Sequence, residues 1–221
     1  MSMILFSLCS GTILPADAAT LRCTKSPVTF EYDGNENLTG LCTTANAALD
    51  FLVSIGLETQ DCITIQLVDD VPSGRDHTLI GKYNPVSREV SLLTYEKSVE
   101  LANSEKLMPG TRLSEELWCS YAAHELAHVV SCQHLEPHIK AHTAGEYISA
   151  VTQLAVLSPP ARDEFLARYG DVDAYQARAE MSELYFLLDP NRFAVKCYLH
   201  FISLENPRTF VEQLIRKGNG F

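Results

Sequence analysis

The sequence predicts an α+β fold in a single domain: a small N-terminal sheet with a hairpin, then a mostly helical C-terminal half. Two observations lead there. Period-two alternation is confined to stretches ahead of Tyr95, and 3.6-residue periodicity dominates after it. A third sets the scale: 221 residues with 46% hydrophobic and 20% charged side chains suit one well-filled core.

The chain opens on "MILFSLCSGTILPADAAT", an apolar run followed by small residues around Ala16-Asp17-Ala18. That is the shape of a secretory leader, although "MSM" lacks the usual basic residues, and a buried terminal strand or helix is the alternative. The expected organisation is a signal peptide over 1–18 and one domain over 19–221, placed in the periplasm or secreted. Seven cysteines fit this. Cleavage removes Cys9 and leaves six, an even number suited to disulfides in an oxidising compartment.

"PVTFEY" (Pro27–Tyr32) alternates as a strand, and "CTTANAALDFLVSIG" (Cys42–Gly56) as a helix whose apolar face ends at Gly56. "ITIQLVDD" (Ile63–Asp70) is a second strand. "LIGKYNPVSREVSLLTY" (Leu79–Tyr95) gives two more, joined around Asn84-Pro85-Val86-Ser87. From Ser98 the pattern is helical, with a break at "LMPGTR" (107–112). Ser114 caps the next helix, Glu115 and Glu116 suit its positive end, and it is expected to run to His134. Further helices are expected at Ala144–Leu157, Pro160–Tyr169, Ala174–Leu188, Pro190–Leu204 and Pro207–Arg216.

A net charge of -11 argues against a nucleic-acid partner, which needs a basic face to neutralise phosphates. After residue 20 no apolar run approaches the ~20 residues that span a bilayer.

The chemistry concentrates in "HELAHVVSCQH" (His124–His134). Histidines at i and i+4 project from one side of a helix and can share a zinc ion at about 2.0–2.1 Å. Glu125, beside them, can take a proton from water acidified by that ion. For the third ligand Glu146 is preferred, in the first turn of a following helix that is otherwise apolar. A carboxylate there is costly unless paired or metal-bound. His134 is the rival, completing a three-histidine pattern in which Ser131 replaces the glycine that lets the chain turn. His138 and His142 are further alternatives. Cys119 and Cys132 lie too far apart along one helix to pair with each other, and each is expected in a structural disulfide.

With "HELAH" and the glutamate of "GEYISAVTQ" (Gly145–Gln153), the chain resembles gluzincin-type zincins, and more broadly small exported bacterial proteins with a lone zincin domain. "GKYNPVSREVSLLTY" (Gly81–Tyr95) is similar to the hairpin that precedes the motif helix in that class. The resemblance implies a zincin-like domain with His124, His128 and Glu146 as Zn2+ ligands and Glu125 as general base. It also implies a peptide or protein substrate lying along the sheet edge near Val90–Tyr95. The class needs a donor for the oxyanion, for which Tyr198, His200 and Tyr147 are candidates. The function implied is an exported zinc-dependent metallopeptidase; the alternative is a silent zincin-like module that keeps zinc for structure or partner binding. Nothing in the sequence bears on oligomeric state.

Overall fold

The computed structural model describes residues 19–33, 38–71, 79–104, 113–135, 142–177 and 180–217. The leader expected over 1–18, the "LMPGTR" break and His138 lie outside them. The architecture is the expected one, an N-terminal sheet and a helical C-terminal half in one α+β domain.

The sheet has five strands: β1 (Ala19–Arg22), β2 (Val28–Tyr32), β3 (Ile63–Val68), β4 (Gly81–Asn84) and β5 (Glu89–Leu93). Their spatial order is β1-β2-β3-β5-β4, with β2, β3 and β5 parallel and both outer strands antiparallel to their neighbours. β1 was not anticipated. Its four residues alternate, with Ala19 and Leu21 half-buried and Thr20 and Arg22 exposed, but the run is short; pairing with β2 is what defines it. In β3, Ile63, Ile65 and Leu67 are buried while Thr64 and Gln66 face out, so the helices cover one face of the sheet.

Between β2 and β3 runs α1 (Thr39–Ser54), with Leu41, Ala45, Ala48 and Leu52 inward; Gly56 follows at φ 90°, a conformation that a side chain would strain. The Cys23–Cys42 disulfide ties its first turn to the end of β1. Asn84 Oδ1 accepts from the backbone N–H groups of Val86 and Ser87 and so closes the β4–β5 turn. After α2 (Tyr95–Asn103) comes the motif helix α3 (Glu115–His134). Ser114 caps it by accepting from Leu117 N–H, and Trp118 Nε1 donates to Leu93 O at 2.9 Å, pinning its first turns beneath β5. Fully burying side chains such as Trp118 and Leu126 contributes roughly 1.5–3 kcal/mol each.

α4 (His142–Ala155) is the central helix, buried from Thr143 to Leu154 against α1, α3 and α7 (Pro190–Ser203). α5 (Pro159–Ala167), α6 (Glu183–Leu188) and α8 (Pro207–Lys217) complete the chain.

Three expectations need correction. The helix expected over Ala174–Leu188 is only α6; Val172, Tyr175 and Met181 are buried in non-helical chain, where periodic apolar residues anchor a coil segment to the core. The substrate edge expected near Val90–Tyr95 is not an edge, because β5 is paired on both sides and β4 is the outer strand. Cys119, Cys132 and Cys197 are free thiols: Cys119 and Cys197 are buried in the helical core and Cys132 is exposed, so the expected disulfides at Cys119 and Cys132 do not form.

Candidate metal centre

His124 and His128 sit one turn apart on α3, on the side turned to α4, where Glu146, one turn beyond the His142 start of that helix, meets them. The two Nε2 atoms are 3.1 Å apart, and Glu146 Oε2 lies 3.4 Å from one and 3.5 Å from the other. Ligand atoms held at about 2.0–2.1 Å around a tetrahedral ion lie about 3.3 Å from one another, so the three atoms already have the spacing of a zinc coordination face. Glu146 Oε2 is buried, and its nearest polar neighbours are these two imidazole nitrogens, neither in good hydrogen-bond geometry, so the oxygen is left with acceptor capacity that a cation would use. His124, His128 and Glu146 form the one His/Cys/Asp/Glu group able to hold a metal among the described residues.

Close packing of α3 on α4 needs small residues between them. Gly145 supplies one, since a Cβ there would come within 3.4 Å of His128 Nδ1. Burial by itself would raise the Glu146 pKa, but the neighbouring His128 and His124 outweigh it and hold the carboxyl well below its usual range. The histidines keep some solvent contact, with side chains 17% and 18% exposed, so the metal side of the cluster opens to the surface.

Glu125 is buried and points elsewhere, to the outer strand β4. A Cβ on Gly81 would fall 2.8 Å from its Cγ and Oε1; the glycine makes room for the carboxylate. The Tyr83 backbone N–H donates to it. Leu93 N–H donates to Ile80 O, so Lys82 and Ser91 form the next hydrogen-bonded pair, while the Gly81 N–H and the carbonyls of Gly81 and Tyr83 turn outward. Burial pushes the Glu125 pKa up to about 7. The His124 side chain pulls it down, the Glu146 charge adds to the rise, and the Tyr83 N–H opposes it.

His134 takes no part. Serine at 131 leaves the helix unbroken, Ser131 Oγ bonds back to His128 O, and α3 carries His134 two turns on, where its Nε2 meets Glu58 O at 2.8 Å. His142 stands at the rim, half-exposed, with Nε2 3.5 Å from Glu146 Oε1. His200 is paired with Tyr147, and Tyr198 lies on α7 with its ring under a guanidinium. Tyr147 OH and His200 Nδ1 are 2.8 Å apart beside Phe210, and the Arg162 guanidinium packs over the Tyr198 ring. Tyr147 is likewise committed to α7 rather than to the cluster.

Sequence reasoning missed Gly81, Tyr83 and Gln153. Gln153 Oε1 lies 3.0 Å from His124 Nδ1. A lone glycine at the start of a strand and a lone amide in "AVTQLAVL" were the available signals.

A family model matches residues 28–219, a span that holds every residue of this site. The chain belongs to DUF6639, a family of unknown function. No curated protein and no solved structure matches it. For this member of the family, then, the reading of the site rests on its geometry.

Proposed function

We propose that this protein is an exported zinc-dependent peptidase of the gluzincin type. The observation that carries the proposal is the buried Glu146 carboxylate oxygen, set at zinc-ligand spacing from two histidine nitrogens, with a second buried carboxylate beside them. His124, His128 and Glu146 would hold the ion, and zinc supplies there a Lewis acid that polarises a carbonyl and acidifies water.

The chain's own residues do the rest. Glu125, with its pKa near 7, suits both halves of a proton transfer: it takes a proton from the attacking water and returns it to the leaving amine. The Gly81 N–H and the carbonyls of Gly81 and Tyr83 face outward along β4, where an extended peptide would add as a further strand, while the Tyr83 N–H stays with Glu125. That strand lies directly against Glu125, so a bound backbone passes the base. The Cys23–Cys42 disulfide supports an oxidising compartment. Among the described residues no helix is long and apolar enough to cross a membrane.

The test is cleavage of an unfolded protein substrate by the zinc-loaded chain and by Glu125→Gln. Turnover by the parent, lost in a variant that still binds zinc, supports the peptidase. Zinc binding with no turnover on a broad peptide library favours the silent binding module.

A further inference from the structure

Between α3 and α4 a short polar chain crosses an otherwise apolar interface. Ser120 is fully buried, and its Oγ donates to the backbone carbonyl of Leu117 at 2.6 Å. With that proton committed, the hydroxyl accepts from Gln153 Nε2 at 3.4 Å. The amide therefore turns its Oε1 the other way, where it lies 3.0 Å from His124 Nδ1. Flipping the amide would set its oxygen against a hydroxyl whose proton is already spent. Tyr121 also bonds to the Gln153 side chain and holds it in place.

The direction of each bond follows from the one before it. A carbonyl that can only accept fixes Ser120, Ser120 fixes the amide, and the amide oxygen requires a proton on His124 Nδ1. We infer that Gln153, oriented by Ser120, is a positioning residue that holds His124 as the Nδ1–H tautomer and so aims the Nε2 lone pair at the position shared with His128 and Glu146. Gln153 lies seven residues after Glu146, two turns along α4, so one helix delivers both a ligand and the group that orients another ligand.

The choice of an amide has a physical reason. Glu125 and Glu146 already place two buried carboxyl groups here, and a third would add to their repulsion; an amide orients the imidazole without charge. Histidine ligands are commonly oriented through the second ring nitrogen, and loss of such a partner weakens metal binding about 10–100-fold. The affinity consequence rests on the zinc reading proposed above. The tautomer does not.

The experiment has two arms on the folded full chain. Nitrogen-15 NMR of the metal-free protein reports the His124 tautomer, and competition with a chromophoric chelator reports zinc affinity. The parent is expected to show Nδ1–H. Gln153→Leu, close in size, is expected to lose that preference and bind zinc about 10–100-fold more weakly. Gln153→Glu, which restores the acceptor, is expected to keep Nδ1–H and bind zinc at least as tightly as the parent. Ser120→Ala, a smaller change should Gln153→Leu not fold, is expected to shift the tautomer in the same direction. An Nε2–H parent, or a Gln153→Leu protein with unchanged tautomer and affinity, overturns the inference. A parent with the Nδ1–H tautomer but no zinc binding would overturn the peptidase reading and leave the positioning role standing.

Discussion

Replacing Glu125 by glutamine removes a carboxylate from a dry position, and the structure sets both the sign and the size of the effect on stability. Burial carries this carboxyl from an ordinary 4.5 up to about 7. Its folded pKa is therefore above its unfolded value. Below pH ~4.5 both states hold the proton and the group is neutral in effect. Between there and about 7 the unfolded chain ionises while the folded one does not, so stability falls as pH rises. Above about 7 the loss is complete and amounts to roughly 3 kcal/mol, at 1.36 kcal/mol per tenfold in proton affinity. Glutamine carries no such dependence. In metal-free protein, Glu125→Gln should match the parent near pH 4.5 and exceed its Tm by about 6–12 °C at pH 8, at ~2–4 °C per kcal/mol for a domain of this size. Thermal melts by circular dichroism across that range, with chelator present, are the assay. Zinc should shrink the gap, because a nearby cation favours the carboxylate. A Tm difference that does not grow with pH, or a parent more stable at pH 8, would refute the argument that Glu125 is held in a desolvated site.

Three further outcomes follow from named contacts. Gly81→Ala places a Cβ 2.8 Å from Glu125, so peptide cleavage should fall at least about tenfold while zinc affinity stays at the parent level, read by kinetics and metal titration. Cys23→Ser/Cys42→Ser opens a loop with a sequence separation of 19 and should cost about 3 kcal/mol in denaturant unfolding. Ser114→Ala removes the acceptor for Leu117 N–H and should cost ~1 kcal/mol, seen as a Tm lower by about 2–4 °C.

Much of this molecule was legible in its sequence because the signals were local. Ser114 marks the start of α3, proline stands at the first position of α5, α7 and α8, and alternation in "ITIQLV" separates core from solvent. The trio was legible for a different reason: i,i+4 spacing fixes two histidines on one side of a helix, and a glutamate inside an apolar helix asks for a partner. What stayed hidden depends on contacts between distant segments. The role of Gly81 exists only because β4 is laid against Glu125, and β4 is the outer strand because β5 inserts beside β3. Gln153 looked like one polar residue among many until α4 met α3. His200 showed the converse; its chemistry suited an oxyanion donor, and the packing of α7 sets its Nδ1 against the Tyr147 hydroxyl. The segment before α6 misled because Val172, Tyr175 and Met181 are buried by tertiary contact without helical hydrogen bonding.

The most direct test of the account is the zinc content of the full chain purified without chelator, measured by atomic emission beside Glu146→Ala and His134→Ala. The expected result is one zinc per chain in the parent, lost in Glu146→Ala and kept in His134→Ala, whose imidazole is bound to Glu58 O. A parent without zinc, or zinc lost in His134→Ala and kept in Glu146→Ala, would contradict it.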